Sequence, residues 1–241
     1  MPFLRFLRLL GILAIVAACA GALFVGTRRS AADLPWTRLD PGAPIGLATG
    51  AKLATLRDRP ARCRALLGEA GVAYHALPAR VQGASCGFGD GVGWEPGGSR
   101  GARYGPAPPA LACPLAAALS LWEWDVVQPA AARALGTTVS GIDHYGSYAC
   151  RRIYGRASGD WSEHARAAAI DIAGFRLADG RRITVARDWK GDGPEAAFLR
   201  EVRDGACRLF ATTLSPDYNA AHRDHLHLDE AARGGGWRVC R

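Results

Sequence analysis

Hydrophobic positions along this chain change period several times. From Leu9 to Gly26 they are nearly continuous, a run of about 18 residues, roughly the shortest that crosses a bilayer as a helix. From Arg62 to Gly71 the spacing of Cys63, Leu66 and Leu67 is helical, and Gly71 fits the helix end. Val72–Leu77 reads as a short strand. Leu115, Leu119, Trp122 and Val126 predict a helix from Pro114 to about Gln128, and Pro129 either kinks it or opens a second helix through Leu135, closed by Gly136. Thr137–Tyr148 reads as strand and turn, Phe175–Val185 as a hairpin turning at Ala178–Gly180, and Pro194–Phe210 as a helix burying Phe198, Val202 and Leu209. Gly87–Pro109 is rich enough in Gly and Pro that a long surface loop is expected. Helices and short strands follow no repeated β-α order. The expected class is α+β, with a small, largely antiparallel sheet flanked by helices.

The apolar run sets the domain plan: residues 1–30 as an N-terminal signal anchor, 31–52 as a linker, and 53–241 as one domain. Arg5 and Arg8 before the run and Arg28 and Arg29 after it give no bias of orientation. A cleaved signal or a lipoprotein signal ending at Cys19 are the alternatives. The chain stays apolar after Cys19, which favours a retained anchor in the inner membrane through residues 9–26, with the domain in the periplasm. The other cysteines, Cys63, Cys86, Cys113, Cys150, Cys207 and Cys240, form an even set without a C-x-x-C pair, as expected of a disulfide-stapled exported domain. The net charge of +8 is mostly arginine, with no long basic block and no aromatic-rich basic motif. A nucleic-acid partner is therefore not expected, whereas an anionic wall polymer is compatible with the charge.

Four of the six histidines lie in two short segments, S-E-H-A-R-A-A-A-I-D at 162–171 and H-R-D-H-L-H-L-D at 222–229. Were the alanine-rich stretch helical, His164 and Asp171 would sit about 10 Å apart along the axis, too far to share an ion. If the chain instead turns after His164 and enters a strand near Ala168, Asp171 shares a face with Ala169 and Ala173, and Ile170 and Ile172 face the core. In the second segment, alternation sets His225, His227 and Asp229 against Leu226 and Leu228. Asp224 falls on the face away from the histidines, and His222 falls in a preceding loop, at the rim. Two imidazoles on one strand face, about 6–7 Å apart, can converge on one ion. Binding one of them with His164 and Asp171 leaves an open, catalytic type of site; binding both closes it into a structural one.

These segments, with S-Y-A-C-R-R at 147–152 and A-D-G-R-R-I at 178–183, resemble the extensin-like C-terminal family of bacterial envelope proteins, over roughly Leu53–Cys240. S-x-H, a later Asp and then H-x-H are also similar to the zinc peptidases of lysostaphin, D-Ala-D-Ala carboxypeptidase and hedgehog type. The resemblance implies His164, Asp171 and His227 as Zn2+ ligands, with His225 beside the ion as general base or transition-state stabiliser and Asp224 as the second candidate base. It also gives Arg151 or Arg152 an active-site place, holding an oxyanion or a substrate carboxylate. Asp229 is a candidate to orient His227. Where many of those peptidases have Gly three residues after the first ligand, this chain has Ala167, which suggests a different turn. The expected function is a zinc-dependent hydrolase of peptidoglycan peptides, of D,D-peptidase or endopeptidase type, in the cell envelope. The alternative, from another class, is a non-catalytic, zinc-stabilised module that binds cell wall.

Overall fold

A computed structural model describes residues 2–29, 31–233 and 237–241 of the chain. It begins with helix α1 (Pro2–Arg29), whose segment Arg5–Gly26 has a mean hydropathy of 2.5 and is long and apolar enough to cross a membrane, as a signal sequence also is. There follow α2 (Thr49–Ala54), α3 (Pro60–Glu69), β1 (Val72–Ala76), β2 (Arg80–Gln82), β3 (Cys86–Phe88), β4 (Gly91–Gly98), β5 (Arg103–Gly105) and β6 (Ala110–Ala112). Next come α4 (Cys113–Trp122), α5 (Gln128–Leu135), β7 (Val139–His144), β8 (Ala169–Leu177), β9 (Arg182–Thr184) and α6 (Val185–Asp188). Finally come α7 (Pro194–Leu209), β10 (Thr212–Leu214), β11 (Leu226–Asp229) and β12 (Val239–Cys240). The fold is α+β. A seven-stranded sheet runs β12-β10-β11-β8-β7-β5, with β9 also paired to β8; only β5 with β7 and β10 with β12 are parallel. A second sheet, β1-β4-β6, and the hairpin β2-β3 complete it.

Strand β8 organises the large sheet. Its first half pairs with β11 and its second half with β9, while β7 lies along its other edge. The pairing with β7 steps from His144↔Ile172 to Asp143↔Gly174, so Ala173 is an extra residue, a bulge. The bulge reverses the alternation. Ile170 and Ile172 before it and Phe175 and Leu177 after it all enter the core, and Asp171 is left on the opposite face. Phe175 packs against Phe198 of α7 and Trp122 of α4, with ring centroids 5.0 and 6.0 Å away. The Trp122 indole N–H donates to the Val202 carbonyl at 3.0 Å, so this tryptophan is core.

Two expectations fail. Gly87–Pro109 is not a surface loop: it supplies β4 and β5 and buries Val92, Trp94 and Tyr104. Glycine is used here for close packing, since a Cβ on Gly91 would lie 2.4 Å from the Phe88 ring and one on Gly93 2.7 Å from His75. The same stretch is held by the Glu123 carboxylate, which accepts the amides of Gly101 and Ala102 at 2.7 and 2.8 Å, and by Arg100 stacked 3.6 Å over Trp94. Residues 31–52, expected as a linker, are folded onto the domain, with Leu39 and Ile45 against the core and α2 beginning at Thr49. The second helix expected through Leu135 is present as α5, with Pro129 in its first turn and Gly136 closing it at φ 68°, and a π turn over Glu123–Val127 joins it to α4. Disulfides join Cys63 to Cys113, Cys86 to Cys150 and Cys207 to Cys240, leaving Cys19 of α1 as the free thiol among the described residues.

Candidate metal centre

The alanine-rich stretch makes a turn and then a strand. Ser162 accepts the amide of His164 at 3.4 Å and starts a short 3-10 turn over Glu163–Arg166, after which Ala167 takes φ 54° and the chain enters β8. Ala167 takes the left-handed conformation that glycine favours, at a cost of about 1 kcal/mol relative to glycine. This turn lays the His164 ring over the sheet where β8 and β11 pair His227 directly with Asp171.

The donor atoms converge. His164 Nε2 lies 3.2 Å from Asp171 Oδ1 and 3.3 Å from His227 Nδ1, and the last two are 2.9 Å apart. Each ring is oriented from behind. His164 Nδ1 faces the Ser147 carbonyl at 3.1 Å, which can only accept, so this nitrogen carries the proton and Nε2 offers a lone pair. His227 Nε2 faces the Asp229 carboxylate at 3.1 Å, which leaves Nδ1 to the cluster in the neutral ring. Two lone pairs and an anionic oxygen thus point at one place and need a cation there. The electrostatics express the same need. Burial alone would lower the pKa of His227, but the hydrogen bonds with Asp171 and Asp229 outweigh it and push the value up to about 9. Burial would raise that of Asp171, yet its contacts with His164 and His227 hold it well below the usual carboxylate range. A proton on His227 meets the need in part. A metal ion would fit there: the edges of a tetrahedron with bonds of about 2.0–2.1 Å are about 3.3 Å long, close to the separations found.

His225 stands beside this set. Its Nε2 is 3.5 Å from Asp171 Oδ1, but it does not join the group, His164, Asp171 and His227, whose ligand atoms all lie within 4.8 Å of one another. The expectation that Asp224 points away from the histidines fails, because β11 starts only at Leu226 and the residues before it follow no strand alternation. Asp224 Oδ1 instead lies 2.9 Å from His225 Nδ1 and orients that ring, while Tyr145 packs edge-on against it at 5.8 Å. His222 is not a rim residue. It is 7% exposed, with Nδ1 donating to Asn219 Oδ1 at 2.8 Å and its ring 5.2 and 5.9 Å from those of His225 and His227. Burial first, and then the neighbouring His227 and His225, lower its pKa to about 4, so it forms a neutral wall.

The cluster opens into a cleft of about 910 Å³ bordered by Arg151, Tyr154, Trp161 and Tyr218. The two arginines separate here. Arg151 lies on the cleft wall, whereas Arg152 donates to the Gly159 carbonyl and stacks 4.5 Å over Trp161. The loop that supplies Ser147 and Arg151 is fastened to the β2-β3 hairpin by Cys86–Cys150, by Phe88 against Tyr148 at 5.8 Å and by Arg80 over the same tyrosine at 4.3 Å. The aromatic wall and the Ser147 carbonyl carried no metal-site signal in the sequence, since backbone acceptors and lone tyrosines have no spacing to read.

Residues 61–241, which include S-Y-A-C-R-R, S-E-H and H-R-D-H-L-H-L-D, match the family profile described as Extensin-like protein C-terminus. The chain belongs to that family. No curated protein and no solved structure matches this extensin-like chain. The match also carries no link to lysostaphin or D-Ala-D-Ala carboxypeptidase relatives.

Proposed function

We propose that this extensin-like domain is a zinc-dependent hydrolase of peptidoglycan peptides, of D,D-peptidase or endopeptidase type, acting in the cell envelope. One observation supports it above the others: two imidazole lone pairs, each ring oriented from behind, and a carboxylate oxygen converge at the head of an open cleft. His164, Asp171 and His227 would hold the ion, a donor set suited to zinc. When bound there, zinc supplies a Lewis acid that activates water and polarises an amide carbonyl. The remaining work falls to the chain. Asp224 holds the proton of His225 on Nδ1, so Nε2 is free to take the proton lost by the attacking water and return it to the leaving amine. Arg151 on the cleft wall is placed to hold a substrate carboxylate or the oxyanion. The S-x-H, Asp, H-x-H order similar to lysostaphin-type and carboxypeptidase-type zinc peptidases supports the same reading. Digestion of purified sacculi by the zinc-loaded protein, with products identified by mass, tests it. Released muropeptides cut at an amide, and lost with Arg151→Ala but kept with Arg152→Ala, are the expected result.

A second reading has an observation of its own. His225 Nε2 lies only 3.5 Å from Asp171 Oδ1, and a small ring shift would make it a fourth ligand. The site would then be closed and structural, and the domain a zinc-stabilised wall-binding module. Intact sacculi that retain the protein without releasing fragments would favour it.

A further inference from the structure

Helix α1 ends at Arg29, and beyond Ser30 the chain is tied down at once. Lys52, only 5% exposed, donates from its ammonium to the Ala31 carbonyl at 2.8 Å and the Thr37 hydroxyl at 2.7 Å. The Ala48 amide donates to the Ala32 carbonyl at 3.2 Å and the Leu47 amide to the Asp33 carboxylate at 2.7 Å. Residues 31–48 therefore form a folded hook rather than a tether. From Ala31 onward the chain therefore adds no flexible tether between the helix and the domain.

The hook encloses a cleft of about 550 Å³ whose charged lining is Arg38, Lys52, Arg59 and Arg62, with no carboxylate among its lining residues. Arg62 pairs with Glu69 at 2.6 Å, but among the described residues the side chains of Arg38 and Arg59 have no ion pair or hydrogen bond. Arg38 and Arg59 thus present exposed guanidinium groups to a cleft lined by no carboxylate, and phosphate is an anion that such groups bind bidentately. Trp36 borders the cleft at 73% exposure, and Leu47 of the same hook is 91% exposed. An exposed indole beside unpaired arginines, a few residues from an apolar helix, is what the headgroup layer of a bilayer accommodates.

We propose that this cleft takes the phosphate headgroup of an anionic lipid and seats the domain on the bilayer. The inference rests on α1 staying in the membrane and is independent of the hydrolase reading. The test uses the full chain in nanodiscs of equal phosphatidylglycerol and phosphatidylcholine, with retained lipid read by native mass spectrometry. The parent should retain phosphatidylglycerol preferentially. Arg38→Gln and Arg59→Gln should each weaken that preference about fivefold, and the double variant about 25-fold, with unfolding temperature and metal content unchanged. Equal preference in the parent and the double variant overturns the proposal. So does displacement of the lipid by equimolar inorganic phosphate, which would make the cleft a site for free anions, and so does a mature chain that has lost residues 1–26. Sacculus digestion by the same double variant should be unchanged, which separates a failure of this site from a failure of the metal site.

Discussion

If zinc fills the proposed site, removing it should reverse how this domain's stability depends on pH. Without a metal, the added proton on His227 sits on Nδ1 and faces Asp171, while Nε2–H donates to Asp229. The folded pKa of His227, about 9 against 6.5 in an unconstrained imidazole, is worth about 3 kcal/mol. The low value of Asp171 belongs to the same contact and is not counted again. A group whose folded pKa is raised contributes fully below its unfolded value and loses that contribution as pH rises through the folded one. Chelator-treated protein should therefore lose about 3 kcal/mol between about pH 6.5 and pH 9, at no more than about 1.4 kcal/mol per pH unit. Zinc-loaded protein should not, because the ion replaces the proton and its affinity rises as the ligands deprotonate. Urea unfolding of both forms at several pH values measures this directly. The stabilisation by zinc should widen with pH, and His227→Asn should flatten the chelated curve. A chelated protein whose stability is flat or rising across this range would refute the reasoning, since no extra proton would then be held in the cluster.

Replacing His164, Asp171 or His227 by Ala should empty the site of zinc, as measured by metal analysis, whereas His225→Ala should keep zinc and lower turnover about 10²–10⁴-fold. Equal loss of zinc from His225→Ala would instead indicate four ligands. Thiol titration of denatured, unreduced protein should find Cys19 reactive and the other six cysteines blocked. Gly205→Ala in α7, a change that usually stabilises a helix by about 1 kcal/mol, should destabilise this one by about 1–3 kcal/mol in denaturant titration, because the new Cβ would lie 2.2 Å from a Val126 methyl.

The elements with strong periodicity were legible in the sequence. Leu115, Leu119 and Trp122 at helical spacing give helix α4, which the structure buries on every face, and the alternation of Leu226 and Leu228 with His227 gives the burial of β11. The glycine-rich β4 was not legible, because its glycines are there to admit His75 and Phe88, partners that only the folded chain supplies. The metal-site candidates could be singled out as residue types at fixed offsets. The orientation of Asp224 could not, because it depends on where β11 starts, and a strand end is set by pairing with β8 rather than by local pattern. The role of residues 31–52 was missed for a similar reason: the hook is held by Lys52, a residue whose burial no composition rule anticipates.

The disulfide pairing also constrains how the domain matures. Cys63 joins Cys113 and Cys86 joins Cys150, so the two loops interleave. In a chain that emerges amino end first, Cys63 and Cys86 meet the oxidant before either true partner has arrived, and pairing in order of appearance joins the wrong sulfurs. Cys207–Cys240 has no such difficulty, since no other cysteine lies between its partners. Correct pairing requires the early thiols to wait, or a first bridge to be exchanged through a mixed disulfide once Cys150 has emerged. Of the two interleaved bridges, the later to be completed, Cys86–Cys150, is the one that anchors the Ser147–Arg151 loop over His164. The loop behind His164 is therefore fixed only once the oxidant has been withheld from the early thiols or their first bridge has been exchanged.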